Sequence, residues 1–239
     1  MKAEIVDELW PAILLAWVAG FVDALGYLSL SHVFTAHMSG NSASLGAHLG
    51  QRNWGEVLIR GLVIPPFVVG IAIGVLADVI AERCHWRARL VSTFVLELLC
   101  LLLFVGLDRA GAAGRLTPGT PRFFILASLL TMAMGLQNAT LRRAGRTKIR
   151  TTYISGMLTN MTENAVHYLL WRFQGRFKRS PVVRPDKPFG QLTVKFGLIF
   201  LSFIIGGACG GFGQTTWGTL SLLAPISGLA VLIVQDGLW

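Results

Sequence analysis

The sequence predicts an all-α polytopic membrane protein, and three observations predict it. Of the 239 residues 53% are hydrophobic and only 14% are charged, against about 25% charged in a soluble domain. The basic residues crowd into stretches 83–89, 141–150 and 172–187, with long segments almost free of charge between them. Several of those segments reach the ~20 apolar residues that a helix needs to span the hydrocarbon core. Lipid offers no partner to backbone N–H and C=O groups, so helices with few ionised side chains are the expected solution.

The elements follow in order. Met1–Trp10 carries Glu4, Asp7 and Glu8 against Lys2; it lacks the basic start and cleavage site of a signal peptide, so the first apolar segment is expected to stay. Spanning helices are expected at Ala12–Leu30, Leu58–Ile80, Leu90–Leu107, Arg122–Thr140, Leu192–Gly211 and Leu220–Val234. Two more segments, Phe34–Leu49 (FTAHMSGNSASLGAHL) and Thr151–Phe173 (TTYISGMLTNMTENAVHYLLWRF), are apolar enough to enter a membrane yet unusually polar. Pro65, Pro66 and Pro225 are expected to kink their helices. The glycines of 70–74 and 206–213 read as packing faces, and Trp10, Trp54, Trp86, Trp171, Trp217 and Trp239 as an interfacial belt.

The chain also repeats itself. Gly20-Phe-Val-Asp23-Ala24 aligns with Gly135-Leu-Gln137-Asn138-Ala139, and Ser39-Gly40 with Ser155-Gly156. Thr35 and Thr151 stand four residues before those serines, and Gly70-x3-Gly74 matches Gly206-x3-Gly210. Four landmarks in one order predict two related halves, 1–110 and 118–239, each with three spanning helices and one polar, broken or re-entrant helix. Basic loops 141–150 and 172–187 flank the second polar segment, and the positive-inside rule puts both on the cytoplasmic side if that segment re-enters. The cluster 83–89 then also falls inside, in a multi-pass protein of the inner (plasma) membrane, and the halves are inverted. Eight full crossings, with parallel repeats, are the alternative.

Ionisable groups inside such segments are functional candidates, since burying one costs about 2.5–3.5 kcal/mol or more. Asp23, His37, Glu97 and Glu163 are the candidate proton carriers; each has the competing reading of a group hydrogen-bonded internally to hold helices together. A break at the Ser-Gly pairs would release backbone groups at membrane depth, which is tolerated where they line a polar cavity. The candidate solute or ion site is therefore Asp23, Thr35, Ser39, Gly40, Asn41, Gln137, Asn138, Thr151, Ser155, Gly156 and Asn160. Close packing through small residues is the plainer reading of the same stretches.

Other classes find little support. Cys84, Cys100 and Cys209 are too scattered for a disulfide framework, and His32, His37 and His48 lack a ligand pattern, so neither metal nor cofactor is expected. No P-loop, dinucleotide fingerprint or GxSxG motif points to an enzyme. A net charge of +9 is explained by juxtamembrane Lys and Arg and a lipid partner rather than nucleic acid. A small-solute or ion transporter is the leading expectation, with a passive channel or a non-transporting scaffold or enzyme as alternatives; a homo-oligomer is compatible with all of them.

GFVDALGYLSL followed by HVFTAHMSGNSASLG, and AMGLQNATLRR followed by TTYISGMLTNMTE, resemble the YoaK-type membrane proteins, a bacterial family of unknown function. The resemblance covers most of the chain; beyond Gly190 it is one of general character. It implies a compact helical membrane protein and carries over no substrate or catalytic residue.

Overall fold

A computed structural model describes residues 2–85, 91–111, 116–141, 154–173 and 189–237. The helices are α1 (Lys2–Ser29), α2 (Met38–Gly50), α3 (Trp54–Gly61), α4 (Ile64–Arg83), α5 (Val91–Ala110), α6 (Pro121–Leu141), α7 (Ile154–Phe173), α8 (Phe189–Trp217) and α9 (Leu223–Gly237), with a 3-10 turn at Gly218–Leu222 before α9. No strand occurs among the described residues. Among the described residues five stretches are long and apolar enough to cross a membrane: Leu9–Ser29, Trp54–Arg83, Val91–Ala110, Pro121–Thr140 and Phe189–Gln235, the last holding both α8 and α9. Their outer faces expose Leu76, Val194, Ile205 and Phe212, as lipid contact requires. Trp54, Trp171 and Trp217 are exposed near helix ends and Trp10 at the start of the span Leu9–Ser29, as the belt expectation holds; Trp86 and Trp239 lie outside the described residues.

Two expectations about the helices need correction. The segment 58–80 is not one helix: α3 ends at Gly61 and α4 begins at Ile64, so Pro65 and Pro66 open α4. A proline in a first turn sacrifices no intrahelical bond, so these residues start a helix where a kink was expected. Pro225 likewise sits in the first turn of α9.

Glycine seams join the helices. A β-carbon on Gly206 would collide with the carbonyl oxygen of Trp17, one on Gly210 with that of Phe21, and one on Gly20 with that of Phe203. Ser202 Oγ donates to Ile13 O at 2.8 Å on the same seam. Contacts advance along both helices together, so α1 and α8 run side by side in the same direction. α4 and α6 do the same: a β-carbon on Gly70 would strike Met132 O, one on Gly135 would strike Phe67 O, and Gly74 sits against Ala139. The packing role expected of the GxxxG glycines is thus met.

The ends of the helices fix the remaining directions. Thr219 Oγ1 donates to Asp108 Oδ2 at 2.5 Å, and Arg122 pairs with Asp108 Oδ1 at 3.2 Å. One end of the bundle therefore gathers the C-terminus of α5, the N-terminus of α6 and the turn between α8 and α9. By the two parallel seams, α1 also ends there and α4 begins there. Helices α1, α5 and α8 run towards this end; α4, α6 and α9 run away from it. The core lies around α1 and α6, where Leu15, Val18, Val22, Leu25, Leu126, Leu130 and Met134 have no exposure.

Candidate functional site

After α1 the chain turns back on itself. Ser31 and His32 adopt left-handed backbone angles, φ 54° and 60°, a conformation that reverses direction at a helix end. Arg60 of α3 donates a guanidinium N–H to the His32 carbonyl, and the Tyr27 ring packs on His32 and Phe34, centroids 4.9 and 4.8 Å apart. Residues 33–37 then descend beside α1 to the level of Asp23.

Asp23 clasps this descending strand of chain. Its Oδ1 accepts from Thr35 N at 2.7 Å, Ala36 N at 2.7 Å and Thr35 Oγ1 at 3.2 Å. Its Oδ2 meets His37 Nδ1 at 2.6 Å. Asn41, in the first turn of α2, completes the hold: its Oδ1 accepts from Phe34 N at 3.0 Å and its Nδ2 donates to Phe34 O at 2.7 Å. Asp23, Thr35 and Asn41 are all buried. A carboxylate and a carboxamide thus satisfy the backbone of a loop that has left the helical ladder inside the protein, where an unpaired N–H costs about 1–3 kcal/mol. From His37, the N-cap, α2 climbs back to the end at which α1 finished; no side chain caps its N-terminus.

The second polar segment behaves differently in detail. α7 runs antiparallel to α8, with His167 stacked on Phe189 at 5.0 Å, Tyr168 beside Gly190 and Met161 beside Gly197. Its first turn is the deep end: Met157 is buried in one apolar cluster with Ala12, Ala16, Phe196 and Ile199. Phe203 packs against that cluster and, 5.3 Å away, against the His37 ring. The N-terminal ends of α2 and α7 therefore approach one aromatic side chain from opposite sides.

Of the sequence candidates, Asp23, Thr35, His37, Gly40 and Asn41 come together, Gly40 lying against the Phe34 ring. Ser39 is exposed in the first turn of α2. Ser155 and Gly156 sit in the first turn of α7, Gly156 buried and Ser155 exposed. Ser39-Gly40 does not interrupt α2, which begins one residue earlier at Met38, so the break falls just before that pair; Ser155-Gly156 lies within α7, which is described from Ile154 onward. Asn160 and Glu163 face outward on α7, so Asn160 is no counterpart of the buried Asn41. Asn138 is half-buried on α6, and Gln137 is buried with its amide donating to Leu15 O at 2.6 Å. Glu97 is fully enclosed on α5, apart from the clasp. Thr151 and most of the three basic stretches lie outside the described residues. Reasoning from the sequence missed Phe203 and Arg60; Phe203 stands three residues before Gly206, as Phe67 stands before Gly70, and that shared spacing was the signal available for it. No metal-binding cluster occurs among the described residues.

The family model "Protein of unknown function (DUF1275)" matches residues 11–235. UPF0700 transmembrane protein YoaK of Bacillus subtilis (strain 168) is 32% identical over 172 residues, covering 72% of this chain and 73% of that protein. No solved structure matches. The matched region contains the clasp, both polar helices and all the candidate spans except the first two residues of Leu9–Ser29. The chain is a membrane protein and belongs to the DUF1275 family.

Proposed function

We propose that the chain is a transporter of a small solute or ion, built from two inverted halves, 1–110 and 118–239, in which α2 and α7 re-enter. One observation carries the reading: each helix runs opposite to its sequence counterpart. α1 opposes α6, α4 opposes α8, and α5 opposes α9. Matching contacts support the pairing, since Gly20 against Phe203 O repeats as Gly135 against Phe67 O, and Gly206 against Trp17 O repeats as Gly70 against Met132 O. α1 and α4 meet at one end of the bundle, so α2 and α3 return to the side they left. α6 and α8 meet at the other, so α7 does too. Six crossings result, and stretches 83–89, 141–150 and 172–187 share one side, which the positive-inside rule makes cytoplasmic.

Inverted repeats with discontinuous membrane helices place solute sites near the midplane, where helix N-termini present partial positive charge. Here the N-terminal turns of α2 and α7 converge on Phe203. Asp23, Thr35, Gly40 and Asn41 fix the first, while His37 and Ser39 face the solute; Ser155, Gly156 and Asn160 belong to the second, with Gln137, Asn138 and Thr151 as the matched set. Rocking of one half against the other opens the site to each side in turn.

Cysteine accessibility tests this. With Cys84, Cys100 and Cys209 replaced, single cysteines at Gly145 and Ser180 should label from the same side of the membrane. Cysteines at Ser42 and Asn160 should react with small polar reagents. Labelling of 145 and 180 from opposite sides would mean eight crossings and remove the inverted arrangement. Unreactive positions 42 and 160 would make the polar helices packing elements.

A further inference from the structure

Glu97 sits on the inward face of α5 with Thr93, Cys100 and Phe104, and its exposure is zero. Neither carboxyl oxygen has a hydrogen-bond partner among the described residues. No cation among the described residues comes to it from the elements packed on α5. Beyond Arg122, α6 has no charged residue through Leu141, and α9 has none before Asp236. Arg122 is engaged with Asp108 at the end of the bundle, more than two turns of α5 away from Glu97. On α4 the titratable groups are Asp78, Glu82 and Arg83, all in the last two turns. An isolated carboxylate enclosed this way is strongly disfavoured, so the group is a neutral acid here.

The chemistry of the surroundings narrows what Glu97 can bind. A hard metal cation needs about six oxygen ligands, and no cluster of acidic or metal-ligating side chains surrounds it among the described residues. A proton needs one carboxyl oxygen. The other ionisable candidates are placed for different work: Asp23 gives both oxygens to the clasp, His37 is held by Asp23, and Glu163 lies on the open face of α7.

We infer that Glu97 is the proton-binding carboxyl of the transport cycle, taking one proton from water when the α5 face opens to one side and returning it to water on the other. The inference rests on the transporter reading above, and its test is separable from that reading. Dicyclohexylcarbodiimide adds covalently to protonated carboxyls in apolar surroundings. The native protein in lipid nanodiscs is treated across about pH 5 to pH 9, a range bracketing the onset of ionisation for a buried acid, and the adduct on the Glu97 peptide is measured by mass spectrometry. The expected result is a heavy adduct at low pH that falls at least tenfold over the range, with Glu163 unmodified. No adduct, or a yield independent of pH, would overturn the proposal: a group that never exchanges its proton is structural. Glu97→Gln should abolish the adduct while the remaining carboxyl peptides are unchanged; the titration itself is read on the native chain, so it stands even where the variant misfolds. Unreactive cysteines at 42 and 160 together with a pH-dependent Glu97 adduct would sink the transporter reading and Glu97's part in a transport cycle, leaving only a proton-exchanging carboxyl on α5.

Discussion

At the residue scale, the clasp distinguishes charge from shape. Asp23 is an acceptor for two backbone N–H groups, one hydroxyl and one imidazole. Asp23→Asn keeps one oxygen for Thr35 and Ala36 but loses the charge-assisted bond to His37, for an expected loss of about 1.5–3 kcal/mol. Asp23→Ala strands both N–H groups in the interior and should cost about 2–6 kcal/mol. Thermal unfolding in detergent, read by circular dichroism, gives the order. Equal losses for the two variants would mean that the backbone bonds contribute nothing. The carboxylate was legible in the sequence as an oddity at membrane depth; its partners were not. Thr35, Ala36 and His37 lie 12 to 14 residues away, and the left-handed turn at Ser31 and His32, with no glycine to announce it, brings them back.

At the element scale, glycines sort into two kinds that the sequence does not separate. Gly135 and Gly206 have neighbouring backbone where a side chain would go, whereas Gly46 has nothing within 4 Å. Gly206→Ala and Gly135→Ala should each destabilise by about 1–3 kcal/mol, because the backbones must move apart. Gly46→Ala should stabilise by about 0.5–1 kcal/mol, the ordinary helix preference for alanine over glycine. Melting temperatures of the three variants decide it, and a loss at Gly46 would show that α2 is covered in the membrane. Helix existence was readable because apolar runs near 20 residues have few alternatives. Boundaries were less so: Pro65 and Pro66 look alike whether they kink a helix or start one, and the difference depends on where α3 stops, at Gly61. The break near Ser39-Gly40 was placed slightly late for a similar reason, since a residue that permits a break also permits a tight first turn.

At the scale of the whole molecule, the stretches 1–110 and 118–239 depend on each other. α1 finds its glycine seam on α8, and α4 finds its own on α6, so the closest packing runs between halves rather than within them. Chains 1–110 and 118–239, co-expressed as separate polypeptides, should therefore copurify as one folded complex, and neither alone should yield a monodisperse species on size-exclusion chromatography. A well-behaved isolated half would contradict the exchange of partners. The sequence suggested a repeat through Gly20, Asp23, Gly70 and their counterparts, but not these contacts, because similarity between segments says nothing about which of them touch.

The seam between α1 and α8 also sets a timetable. Its two sides, Gly20 and Gly206, are separated by nearly the whole chain, and synthesis at about 5–20 residues per second puts roughly 10–40 s between them. Throughout that interval α1 has entered the bilayer with its small-residue groove lacking its final neighbour. The nascent protein therefore carries an unfilled groove until the ribosome has almost finished, and slowed translation beyond Leu141 should increase its proteolysis in the membrane.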